Sequence, residues 1–299
     1  MIRYLLHQDI NKERWDACVS ASMTPLVYGL SWYLDITSPN WEGLVLNDYQ
    51  AVMPLPFRRK WGMNYSFQPP FSQQLGVFGQ EDANEFLMAI PKHFKLIDQQ
   101  LNYGNIASGF TTKAKPNLVL DLNFNYDELK KAYSNNTIRN IRKAEKNELI
   151  HETTSSPDKI ISLFKSYRGK SIATLSENDY HTLRKICNYA LLNGILEIST
   201  VKDRNGALQA GAVFLKSLHG WIFLFSATHP DGRNSGAMSS LIDRFIAAHA
   251  EEPTILDFEG SSDPDLYRFY QSFGSKESVY LQLRINRLPF PFNLFKPSI

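Results

Sequence analysis

The segment Gly232-Arg233-Asn234-Ser235-Gly236-Ala237-Met238 opens directly into a helical pattern, and its small residues suit it to hold an anion. The first N–H groups of a helix have no carbonyl partner inside it, and the dipole places positive potential at that end. Together they can hold a pyrophosphate without side-chain charge. An ordinary loop with Ser235 or Asn234 as the helix cap explains the same residues. Farther on, Asp257 and Glu259 stand two apart at the end of a short strand pattern, so both carboxylates point to one side. In an enclosed site one of them would stay protonated or accept a proton from an incoming ammonium group. Alternatively, Glu259 caps a helix that starts near Asp263.

Other polar clusters read two ways. Gln68, Gln73 and Gln74 set amide donors and acceptors around the stiff Pro69-Pro70 pair, as a connector or as a loop that recognises a polar substrate. Arg139, Arg142, Lys143 and Lys146 form a basic stripe on one helix. Such a stripe is a solvated face or a surface for phosphate groups, tRNA included. His229 follows a strand pattern and is a loop histidine or a base. Phosphate-loop, dinucleotide, zinc-protease and Cys-x-x-Cys spacings are missing, and Gly232–Gly236 has the wrong order for a nucleophile elbow. No metal site is expected.

The elements that must position these residues are clearest in the second half. Helical patterns cover Ile160–Tyr167 and Asn178–Leu192, then Leu196–Lys202, Leu208–Leu215 and Trp221–Ala227 form an antiparallel meander. A helix over Ala237–Ala250, a strand over Ile255–Phe258, a helix over Asp263–Ser272 and a strand over Ser278–Arg284 follow. In the first half, Gly43–Leu46 and Ala51–Phe57 read as a hairpin, Glu81–Phe94 as a helix, Lys95–Leu101 as its continuation or a strand, and Asn117–Leu122 as a strand. One long helix is expected over Tyr126–Glu148. Tyr28, Trp32 and Tyr33 make an aromatic helix face, and the Pro- and Phe-rich tail after Leu288 reads as an irregular arm. The Ser- and Thr-rich stretch Thr153–Asp158 marks a boundary, so two domains are expected, at 1–150 and 151–299.

With 43% hydrophobic and 21% charged residues the chain can bury a core, and a net charge of +2 does not support general nucleic-acid binding by bulk electrostatics, leaving only a local basic patch for it. Cys18 and Cys187 suggest buried thiols in a reducing compartment. The first fifteen residues lack the apolar core of a signal peptide, and no apolar run approaches a membrane span. A cytoplasmic protein is expected.

The stretch 233–238 resembles motif A of the GNAT acyltransferases, with Met238 replacing the final small residue. Leu266–Gly274 resembles their motif B, in which a Tyr stands four residues before a Gly. By that resemblance Tyr270 is the general acid that protonates a leaving thiolate. Ala227, Arg233, Asn234, Ser235, Gly236 and Ala237 then hold the donor. A backbone amide of Trp221–Ala227 polarises the acyl carbonyl, and Glu259 and Asp257 serve the acceptor amine. Over nearly the whole chain the resemblance extends to the Fem-like subgroup, carried by Asn136–Ala144 and by Asp257-Phe258-Glu259-Gly260-Ser261 with Phe269 and Phe273-Gly274. Where Fem transferases carry Phe-Lys, this chain has Phe269-Tyr270. The resemblance implies an α/β (α+β) fold of two GNAT-like domains, each a mixed, largely antiparallel sheet flanked by helices. It implies no tightly bound cofactor. The co-substrate is acyl-CoA or, as the alternative, aminoacyl-tRNA contacting Arg139 and Arg142; the acceptor is an amine on a small, peptide-like or cell-envelope-precursor molecule. A catalytically degenerate pair that only binds a ligand or protein is the third reading.

Overall fold

A computed structural model of the chain describes residues 1–79, 82–167, 175–260 and 263–295. It divides into two compact units, Met1–Pro116 with Ser278–Ile299, and Asn117–Glu277. The division therefore does not fall at 150/151. The helices after Asn117 pack within the second unit, while the last strand returns to the first.

In unit one, β1 (Ile2–Leu5), α1 (Lys12–Ser20), α2 (Ser31–Thr37), β2 (Glu42–Leu46) and β3 (Ala51–Leu55) precede β4 (Phe57–Lys60), β5 (Met63–Ser66), α3 (Ala83–Ala89) and β6 (Phe94–Leu101). Strands β1, β2 and β3 form an antiparallel sheet in that order. The expected Ala51–Phe57 strand is two strands, because Pro56 has no N–H to donate at the corner between β3 and β4. A hairpin that the sequence reading passed over, β4 to β5, turns at Trp61-Gly62. The expected Glu81–Phe94 helix is shorter; Asp82 caps α3 by accepting from Asn84 N–H at 2.9 Å, and Phe94 already belongs to β6. Glu81 lies outside the described residues. Tyr33 is on α2, whereas Tyr28 lies in the short turn before it; both are fully buried, edge to face at 5.6 Å. Trp15 packs on Trp41 at 4.7 Å, the rings tilted by 60°, and donates to the Gly29 carbonyl at 2.8 Å.

Strand β7 (Thr112–Asp121) leads into unit two. There follow α4 (Tyr126–Lys131), α5 (Asn135–Lys146), β8 (Ile150–Thr153), α6 (Asp158–Tyr167), α7 (Glu177–Leu192), β9 (Leu196–Lys202), β10 (Leu208–Lys216) and β11 (Gly220–Thr228). Then come α8 (Pro230–Ser235), α9 (Ala237–Ala248), β12 (Ile255–Asp257), α10 (Pro264–Gln271) and β13 (Lys276–Asn286). The strands of unit two lie in the order β7-β12-β11-β10-β9-β8, antiparallel except for β11 with β12. Strand β13 pairs antiparallel with β6 in unit one. In both units the strands are mostly antiparallel and flanked by helices, unit one holding the β1-β2-β3 sheet apart from β4, β5, β6 and β13, of which β5 and β6 are parallel.

The expected helix over Tyr126–Glu148 is broken. Ser134 leaves helical backbone, and its hydroxyl accepts from Thr137 N–H at 3.2 Å, which caps α5. Ser272 holds the break, its carbonyl accepting from Ser134 N–H at 2.9 Å and its hydroxyl bonding Thr137 at 2.7 Å. No described helix is long and apolar enough to cross a membrane. Both cysteines are free; burial pushes the Cys18 thiol up to about 11 and that of Cys187 to about 12.

His249, just past the end of α9, ties that helix to the sheet. Its ring nitrogens lie 3.1 Å from Glu197 on β9 and 2.9 Å from Glu252. Burial opposes protonation of the ring, but the hydrogen bonds and charges of the two carboxylates outweigh it, so its pKa is raised. The stabilisation is complete below the unfolded value near 6.5 and is lost as pH rises through the folded one. His249→Gln is therefore expected to destabilise the protein by about 1–2 kcal/mol at pH 5.5 and by clearly less at pH 9, as measured by urea unfolding at both.

Candidate active site

The site begins where β11 outruns its neighbour. Its parallel pairing with β12 covers only Gly220, Trp221 and Ile222. Pairing with β10 continues to Thr228, with a register shift at Phe223–Phe225 that leaves Leu224 as the extra residue. A bulge of this kind bends a strand and increases its twist. From Phe223 to Thr228 the edge of β11 away from β10 is thus not covered by β12, and it borders a cavity of about 550 Å³. That volume falls in the range of small-molecule sites.

The 232–236 stretch forms the next wall, although not as an open loop. Pro230–Ser235 is a short helix capped by His229, whose Nδ1 accepts from Asp231 N–H at 3.2 Å. Neither Ser235 nor Asn234 caps the following helix. Gly236 does so with left-handed backbone, φ 77°, and no side-chain cap. A Cβ on Gly236 would overlap the carbonyl oxygen of Asn140 on α5, so the residue is glycine both for its backbone angle and for this approach. Arg233, Gly236, Met238 and Ser239 line the cavity, while Ala237 is fully buried behind them. Asn234 and Ser235 face a different pocket, beside Lys143 and Arg204.

Helix α10 closes the opposite wall. Asp263 caps it, accepting from Asp265 N–H at 2.9 Å and Leu266 N–H at 3.4 Å. Leu266, Phe269 and Tyr270 reach the cavity, with Ala227, Ser226 and Thr228 of β11. The Tyr270 ring is stacked on Phe258 at 5.1 Å and meets Phe223 edge-on at 5.7 Å, so aromatic packing fixes its direction. Gly274, four residues on, has φ 82°, and a Cβ there would lie 2.6 Å from that of Ala132 at the end of α4.

With this geometry established, comparison with known proteins is informative about the fold. No family model matches the sequence, and no curated protein is detectably similar to it in sequence. The crystal structure of FemX superimposes with a TM-score of 0.64 over 98% of this chain and 99% of its own, at 13% identity. L-PGS from Bacillus licheniformis gives 0.56 at 11% identity over 95% and 94%. A conserved protein of unknown function from Bacteroides thetaiotaomicron gives 0.58 at 12% identity over 95% and 100%. The chain shares the fold of FemX.

Within this Fem-like fold the expected donor residues Ala227, Arg233 and Gly236 meet Tyr270 at one cavity. The expected carboxylates do not join them. Asp257 ends β12, and the backbone turns left-handed at Glu259 (φ 56°), so the two side chains do not share a strand face. Nor does Glu259 cap α10, a role that Asp263 fills. Asp257 is buried and accepts from Glu259 N–H at 2.7 Å and from Asn117 Nδ2 at 3.1 Å. Ser261 lies outside the described residues.

The glutamine loop is engaged inside unit one. Gln68 donates to the Ser72 carbonyl at 2.6 Å and accepts from Gln100 N–H at 2.9 Å. Buried Gln74 donates to Gln73 at 2.8 Å and accepts from Tyr103 N–H at 2.9 Å. Arg139 and Arg142 are exposed on α5, away from the cavity, which only Asn140 of that helix reaches. His229 bonds the Tyr167 hydroxyl through Nε2 at 2.7 Å. Tyr167, Asn140, Asp263 and Asp265 are cavity residues that sequence reasoning missed. Only Asp263, before Pro264, carried a local signal, that of a helix cap.

Burial raises the Asp257 pKa to about 6, the bonds from Glu259 N–H and Asn117 opposing it. The folded state then holds this proton more tightly than the unfolded chain, so the group lowers stability as pH rises from 3.8 through 6. Asp257→Asn is expected to gain about 1–2 kcal/mol relative to the parent between pH 5 and pH 8, read as the change in the stability difference from denaturant titrations.

Proposed function

We propose that the protein is an acyltransferase that moves an acyl group from an acyl-CoA-type thioester to an amine of a small-molecule or cell-envelope-precursor acceptor. The observation that carries this reading is the convergence of three features on one cavity: the strand edge of β11 beyond Ile222, the amino end of α9, and Tyr270 on the opposite wall. An extended, amide-containing arm can add to such a strand edge by main-chain hydrogen bonds. Its phosphates then lie toward the α9 terminus and Arg233. Met238 forms part of the wall and leaves the cavity its volume.

In the proposed step the acceptor nitrogen attacks the thioester carbonyl, and a C–N bond forms as the C–S bond breaks. A β11 backbone N–H stabilises the oxyanion. Tyr270 gives its proton to the leaving thiolate, and the nitrogen proton leaves through Asp263 or Asp265, the carboxylates at this cavity. These two take the role expected of Glu259 and Asp257.

Transfer from aminoacyl-tRNA is the second reading, favoured by α5. Arg139, Arg142, Lys143 and Lys146 are all exposed, and Lys143 borders the pocket that Asn234 and Ser235 face.

Thermal unfolding with acetyl-CoA and free coenzyme A separates the readings. Ligand at 100 times its dissociation constant adds about 2.7 kcal/mol of stability. Arg233→Glu, at an exposed position, should weaken binding roughly tenfold or more without lowering the melting temperature of the free protein. Tyr270→Phe should keep donor binding and reduce turnover by roughly 100-fold. No shift at millimolar ligand, with salt-dependent tRNA binding that Arg142→Glu abolishes, would replace the thioester reading by the tRNA one. Neither ligand binding would leave the degenerate reading.

A further inference from the structure

Unit one carries an aromatic and cationic surface that its own core does not use. Strand β4 ends the strand order of its sheet and pairs only with β5. Its Arg58, Arg59 and Lys60 are exposed, and Trp61 at the hairpin tip is 72% exposed. Beside the tip runs the segment after β13, where Phe290 is 80% and Leu294 65% exposed; the Phe292 ring lies 5.6 Å from that of Trp61. Behind these rings is a largely apolar cavity of about 550 Å³, walled by Trp61, Met63, Tyr65, Phe67, Leu288 and Phe292. Asp98 also lines it, but is bonded to Arg284.

Such a cluster is large for a free surface, and its charges indicate what covers it. Residues 57–67 and 285–295 hold no acidic residue; of their four cations Arg58, Arg59 and Lys60 are exposed, while Arg287 donates to the Ile90 and Pro91 carbonyls. Bulky apolar side chains ringed by cations match the boundary of an anionic bilayer, where aromatic and aliphatic groups enter among the acyl chains and cations meet headgroup phosphates. Single-stranded RNA would need open aromatic faces for its bases. Here the Arg58 guanidinium lies over Phe67 at 4.3 Å and the Lys60 ammonium over Trp61 at 4.6 Å. Leu288, Leu294 and Met63 offer a base nothing to stack on.

We propose that the β4–β5 hairpin and the segment after β13 dock the protein peripherally on an anionic phospholipid bilayer. The test is co-sedimentation with phosphatidylcholine vesicles with and without about one-third phosphatidylglycerol. Retention should be roughly tenfold greater on the anionic vesicles and fall with added salt. It should be lost in Arg58→Glu/Arg59→Glu/Lys60→Glu and strongly reduced in Trp61→Ser/Phe290→Ser, with melting temperatures near that of the parent. A variant that melts early is replaced by the single change Trp61→Phe, read by fluorescence. Lipids brominated in the acyl chain should quench tryptophan emission in the parent and not in Trp61→Phe. Equal retention on neutral vesicles, retention unchanged in both variants, or no retention beside RNA binding through the same residues would overturn the proposal.

Discussion

The proposed donor site depends on the close backbone approach of α5 to the junction of α8 and α9. Gly236 meets the Asn140 carbonyl so closely that no side chain fits between them, and its left-handed backbone redirects the chain from one helix into the next. That turn sets where α9 begins and therefore where its unpaired N–H groups point. The same helical pair constrains the opposite wall, since Gly274 lies against Ala132 and Ser272 bonds Ser134 and Thr137. Both walls of the cavity are thus referred to α4 and α5. The break between those helices is required: an unbroken helix would lose the cap at Ser134 and the contacts that locate Gly274.

The sheet supplies the opening by ending one pairing early. Strand β12 is only three residues long, and Asp257 at its end is held by Asn117 and by the Glu259 N–H. A longer β12 would cover the β11 edge that the donor arm is proposed to use. Burying a carboxylate costs stability above its raised pKa, so Asp257 is best understood as the polar stop that turns the chain out of the sheet. The Phe258–Tyr270 stack then converts that turn into a fixed direction for the tyrosine.

Much of this was legible in the sequence, for reasons that particular residues show. The meander from Leu196 to Thr228 reads correctly because Asp203–Gly206 and His219-Gly220 punctuate strands of consistent pattern. Gly236 and Gly274 were legible as motif positions, but their reason was not, because it depends on Asn140 and Ala132, 96 and 142 residues away. The break at Ser134 did carry a local signal, a capping serine followed by Asn135-Asn136, but the apolar stripe of Ile138, Ile141 and Ala144 outweighed it, and its further support comes from Ser272. The paired reading of Asp257 and Glu259 assumed that strand alternation continued through Glu259, where the backbone is already left-handed. The β4–β5 hairpin escaped because Trp61 is an unusual residue to find with φ 49°.

The packing role of the two glycines bears on how much such motifs say about chemistry. A Gly-rich step before a helix is commonly taken as room for a pyrophosphate. Here Gly236 gives its room to α5, and Met238 can replace a small residue because it lines the wall without filling the space. What the motif specifies is the placement of a helix terminus beside a strand edge, and under the proposed function that placement would serve any extended acyl donor with phosphates at its far end. Choice among donors must then come from surfaces outside the motif. The exposed cations of α5 lie beyond the Gly236 contact, on the helix whose backbone seats the motif. Under the proposed function α5 would therefore serve donor recognition through its exposed cations and donor positioning through the Asn140 contact.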